Sequence, residues 1–98
     1  MIIYHVVLPE VWATFEGRPS FRTPSLETEG FIHCSGQHQV AGVLEKYFHG
    51  KTGLVKLVID TAKLTSNYLE EWSNSSMDTF PHIYGPINID AVIDIIAI

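Results

Sequence analysis

Residues 54–60, LVKLVID, constrain the fold of this chain more than any other stretch. The run is short and rich in β-branched residues, and it is apolar enough to read as a central strand of a sheet. Two other runs share its character, IIYHVVL at 2–8 and AVIDIIAI at 91–98. Alternation along the first sets Ile3, His5 and Val7 on one face and Ile2, Tyr4, Val6 and Leu8 on the other. FIHC at 31–34 reads as a further strand, with Phe31 and His33 sharing a face and Cys34 opposite.

Helices fit between these strands. Pro9 suits the first turn of a short helix over 9–16, in which Trp12 and Phe15 make one apolar stripe. Residues 17–24, GRPSFRTP, are loop. Ser25 can cap a turn over LETE that Gly30 ends. Ser35 can cap a longer helix running to about residue 48, with Val40, Val43, Leu44, Tyr47 and Phe48 on one side and Gly50 as its stop. The polar stretch TSNYLEEWSNSSMD holds either a strand around 68–72 or only loop, and FPHIYGPIN at 80–88 is extended. This order predicts an α+β domain with a mixed or mostly antiparallel sheet and two or three short helices.

A chain of 98 residues predicts one domain with a modest core. Its hydrophobic share of 46% and charged share of 17% are those of a globular protein. The net charge of -5 and only six Lys and Arg residues argue against nonspecific nucleic-acid binding, which depends on neutralising phosphates. One cysteine excludes an internal disulfide and fits a reducing compartment. No apolar run reaches the ~20 residues of a membrane helix, and the start of the chain lacks the pattern of a signal peptide, so the expected location is the cytoplasm.

The chemistry candidates are histidines. Of five, His49 sits at a helix end and His38 in a helix first turn, where both read as structural or exposed. His5, His33 and His82 lie in extended, mostly apolar segments. A buried imidazole left unpaired costs about 1–3 kcal/mol, so three of them point to a site. Zinc held by His33, Cys34 and His38, with His5 or His82, is disfavoured because Cys34 faces away and the spacing matches no common zinc motif. Cys34 as nucleophile would need His5 or His82 as base, and a free cysteine is more often core. A metal-free nucleotide or sugar pocket uses more of the residues. His5 stands beside Tyr4, His33 two residues before Ser35, and His82 two residues before Tyr84. Tyrosine rings can cover a heterocycle, and Ser35 at a helix start can help hold an anion. No glycine-rich phosphate loop is present. Glu70, Glu71 and Asp60 are the candidate carboxylates.

The strings IYH at 3–5, SLETEGFIHCS at 25–35, LVKLVID at 54–60 and FPHIYGPIN at 80–88 resemble the domain-of-unknown-function 952 family over essentially the whole chain. More remotely, IYH followed by EGFIHCS looks like the ADP-ribosyltransferase fold, in particular its RNA 2′-phosphotransferase branch. That resemblance implies two small splayed sheets with an NAD-like nucleotide between them. It implies that His5 holds the ribose and His33 takes the second-strand position, while Glu71, Glu70 and His82 compete for a third. The function it implies is an NAD-dependent transferase or glycohydrolase, with Tyr84 stacking; a non-catalytic nucleotide-binding module would use the same pocket.

Overall fold

The computed structural model describes residues 1–98. LVKLVID does become the middle of a sheet. β1 (Ile2–Val7) and a later strand, β8 (Val92–Ala97), flank β4 (Val55–Asp60). The β1–β4 register runs from Ile2 opposite Asp60 to Val7 opposite Val55, and a bulge at Val58 and Ile59 shifts the β4–β8 register. A second three-stranded sheet has the order β3 (Ile32–His33), β6 (Asp78–Ile83), β5 (Tyr68–Ser73). A two-stranded ribbon, β2 (Ser20–Phe21) with β7 (Ile87–Asn88), completes the strands. Every pairing is antiparallel, so of the two expected arrangements the protein adopts the antiparallel one. The fold is α+β with split sheets.

The helices are α1 (Pro9–Ala13), α2 (Pro24–Thr28) and α3 (Val40–Tyr47), the last preceded by a 3-10 turn over Gln37–Gln39. Both short helices open on proline, whose missing N–H has no partner to lose there. Gly30, at φ 89°, leaves α2 through the left-handed region that glycine enters without a Cβ penalty. Two expected caps are corrected. Ser25 sits inside α2, and its hydroxyl donates to the Phe31 carbonyl at 2.8 Å. Ser35 caps nothing: its backbone bonds Tyr4 in both directions, at 2.7 and 2.8 Å. Backbone pairing outcompetes the local side-chain bond because it satisfies two buried main-chain groups at once. The α3 entrance is closed instead by Gln39, whose Oε1 accepts from Gly36 N at 2.8 Å.

That Tyr4–Ser35 bridge is the seam between the two large sheets. One core runs beneath both, with Ile3, Leu57 and Ile59 from the first, Ile32 and Ile83 from the second, and Phe21 and Ile87 from the ribbon, all fully buried. Each such side chain contributes about 1.5–3 kcal/mol of burial free energy. Beside the seam the sheets part, and α3 lies against β1 across the opening.

Candidate functional site

The opening is a cleft of about 870 Å³ walled by β1, β3, α3 and the β5–β6 hairpin. His5, His33 and His82 all line it, together with Ser35. Antiparallel register explains the second pair: His33 stands directly opposite His82 across β3 and β6. Their rings meet edge to face at 5.3 Å, and Phe31 stacks on His82 at 4.1 Å with 16° between planes.

His5 joins from the other sheet. Its Nδ1 donates to the His33 carbonyl at 2.6 Å, since a carbonyl only accepts. Its ring rests on the buried Phe21 at 5.5 Å. Desolvation drives its pKa from 6.5 down to about 4; the bond to His33 opposes this and the nearby His33 imidazole adds to it. His5 is therefore neutral at pH 7, with the proton on Nδ1. Nε2 makes no protein hydrogen bond and is not sealed from solvent, so it presents a free acceptor lone pair.

The other two imidazoles have carboxylate partners. His33 Nε2 lies 3.0 Å from Glu29 Oε2, both well exposed. His82 is 13% exposed at its side chain, and its Nδ1 lies 2.9 Å from Glu71 Oε1. The same oxygen accepts from the Tyr84 hydroxyl. These two bonds, the tyrosine's first, hold Glu71 below the usual carboxylate range, and the bond to Glu71 pushes Tyr84 above the usual phenol range. An ionised Glu71 fixes the His82 proton on Nδ1 and leaves Nε2 as the free nitrogen. In Tyr84→Phe, the Glu71 carboxyl will titrate at higher pH than in the wild type by carbon NMR; an unmoved titration would rule out the shared oxygen.

Several candidates lie elsewhere. Glu71 and Tyr84 are outside the cleft lining and touch it through His82. Glu70 and Asp60 are also outside it. Tyr4 is outside as well: the pleat turns it away from His5, and Lys56 Nζ lies 5.1 Å from its ring centre. Cys34 borders the cleft but is buried in the core, and burial pushes its thiol pKa up, the opposite of what a thiolate nucleophile needs. No group of three or more His, Cys, Asp or Glu side chains is arranged to hold a metal ion.

The cleft also holds residues that the strand patterns did not single out. Gln39 is buried, and its Nε2 donates to Asp78 Oδ2 at 2.7 Å and to the Thr79 carbonyl at 2.6 Å, tying α3 to β6. His38 Nε2 lies 3.2 Å from the same Asp78 oxygen, and Asp78 is held below its usual range chiefly by the Gln39 bond. Trp72, Tyr47, Lys46, Ser75 and Ser76 complete that side. No local periodicity links residues some 40 positions apart, as Gln39 and Asp78 are.

The family described as protein of unknown function (DUF952) matches residues 6–95. The chain belongs to that family. Its match includes His33, Glu71, His82 and Tyr84 and begins one residue after His5. This DUF952 chain is similar to the crystal structure of protein CC0527 from Caulobacter crescentus, at 26% identity and a TM-score of 0.87, over 99% of this chain and 85% of that one. The solution NMR structure of the same protein gives 26% identity and a TM-score of 0.81, over 97% and 82%. No curated protein matches.

Proposed function

We propose that the cleft binds an NAD-type nucleotide and breaks its nicotinamide–ribose bond, passing ADP-ribose to water or to an acceptor hydroxyl. The observation that carries this reading is the meeting of three imidazoles, from two separate sheets, on one open cleft. His5 Nε2 accepts from a ribose hydroxyl. His33 takes the second position beside the sugar. As the bond breaks, its electron pair goes to the nicotinamide nitrogen, which leaves neutral, while positive charge develops on the ribose. The attacking oxygen bonds to the ribose carbon and its proton passes to His82 Nε2, with Glu71 holding the imidazole in place. Glu71 thus acts as a positioning residue, and Tyr84 steadies it. Positioning and electrostatics supply the rate enhancement.

The test is release of nicotinamide from NAD. The wild type will release it, and His82→Ala will be slower by about two orders of magnitude, the scale of general base catalysis. NAD at a hundred times its Kd will also stabilise the fold by about 2.7 kcal/mol. His33→Ala will lose that stabilisation while remaining folded, because its side chain is 55% exposed. A flat melting response to both NAD and ADP-ribose would dispose of the proposal.

One observation favours a second reading, a nucleotide-binding module without turnover. No Glu71 atom lines the cleft, and its inner oxygen already accepts two hydrogen bonds. A melting shift with NAD, unaccompanied by any nicotinamide after days of incubation, would select it.

A further inference from the structure

The end of the cleft remote from the role given to the histidines has its own chemistry. Lys46, in the last turn of α3, reaches the β5–β6 turn. Its Nζ donates to Ser75 Oγ at 3.0 Å and to Ser76 Oγ at 3.5 Å. It forms no ion pair with any carboxylate. In a chain with 11 Asp and Glu against 6 Lys and Arg, that leaves in the cleft a cation whose hydrogen-bond partners are hydroxyls and not a carboxylate. Ser73 extends the cluster, its Oγ lying 3.2 Å from that of Ser75. Hydroxyls can donate as well as accept, so ammonium and serines together can surround an anion. The one carboxylate of that hairpin that lines the cleft, Asp78, is already answered by Gln39, by the Thr79 N–H and by His38.

Two large aromatic residues line the same cleft yet remain open to solvent, Trp72 at 58% and Tyr47 at 63%. Neither ring hangs free. Trp72 Nε1 donates to Asn74 Oδ1 at 2.8 Å, and Lys46 Nζ sits 5.2 Å from the Tyr47 ring centre. Rings held in place without being buried are surfaces for stacking a flat partner.

We infer that this end is a subsite for a phosphorylated aromatic heterocycle: Lys46 with Ser75 and Ser76 holds the diphosphate, and Trp72 and Tyr47 flank the base. The inference rests on the reading of the cleft as a nucleotide site and assigns the half of the ligand that the histidines do not touch. It also replaces Tyr84, which lies outside the cleft, as the stacking group.

Calorimetric titration of the full chain at low salt, with inorganic pyrophosphate and separately with ADP, tests it. Both will bind, ADP more tightly. Lys46→Met will weaken both about tenfold, the scale of a lost charge-assisted bond. Trp72→Ala will weaken ADP about tenfold and leave pyrophosphate unchanged. Both side chains are exposed, so neither variant threatens the fold. Absence of binding by both probes, or Lys46→Met binding them as the wild type does, would overturn the subsite. NAD binding that is indifferent to Lys46→Met overturns the subsite and leaves the transfer reading standing. Lys46-dependent binding of ADP without nicotinamide release leaves the subsite standing and removes that reading.

Discussion

Lowering the pH from 7 to 4 will cost the fold up to about 3 kcal/mol through His5 alone. Unfolded, this imidazole titrates near 6.5; folded, near 4. Between those values the unfolded chain takes up a proton that the folded one refuses, so protons pull the equilibrium toward unfolding. The stability is fully present above pH 6.5 and drains away as the pH falls to about 4. At about 1.4 kcal/mol per pH unit, the gap sets the size of the effect, and the solvent-reachable Nε2 makes it an upper bound. Glu71 and Asp78 act lower on the scale. Their carboxyls are depressed below 4.5 and 3.8, so their contribution is present above those values and is lost only as the pH falls beneath them. Urea unfolding in steps from pH 7 to 5 stays above the range of both carboxylates, and the difference between wild type and His5→Asn there reads the His5 contribution. His5→Asn, which keeps a donor toward the His33 carbonyl but cannot titrate, will flatten the profile there. Equal slopes in wild type and His5→Asn would show that the ring is not desolvated as described.

Phe21→Ala will destabilise the protein by about 3–5 kcal/mol, the cost of deleting a large aromatic ring from a close-packed interior. Phe21 is fully buried and meets His5, Trp12 and Phe15 at 5.5, 5.8 and 4.8 Å between ring centres. Domains of this size hold only about 5–15 kcal/mol in total, so the variant approaches global unfolding. Its melting temperature will fall by roughly 4–8 °C per kcal/mol lost. Phe21→Leu, which keeps much of the volume, will lose less. A loss below about 1 kcal/mol in Phe21→Ala would contradict a packed core at this point. The same ring supports His5, so the two effects couple: with Phe21 gone, His5 gains water and the acid sensitivity shrinks.

Much of the fold was legible wherever one segment carried its own signal. The β-branched runs became β1, β4 and β8, and the apolar side of residues 40–48 became α3 with its partly buried Leu44, followed by the partly buried Phe48, while Tyr47 turned out to solvent. The segment left open between strand and loop became β5, whose partner β6 decides the matter. Ser35 misled because a serine before a helix reads as a cap, while a distant strand had a stronger use for its backbone. Tyr4 shows the reverse. Alternation already set it opposite His5, and the pleat kept it there. The site was half legible: imidazoles in apolar strands stand out, because burying them needs partners. Lys46, Trp72 and the serines of the β5–β6 turn read only as a polar surface, which along the chain they are.

By itself the sequence determined the long apolar strands, the amphipathic helix, the α+β class and the three unusual histidines. These follow from periodicity and burial cost, which act over a few residues. Tertiary structure alone decided that His5 bonds the His33 carbonyl and shares a cleft with His82, that Glu71 stands behind His82, and that Lys46 reaches Ser75 and Ser76. Those meetings depend on how two sheets join at a single bridge and part beside it, and no short-range pattern in the chain encodes where that seam falls.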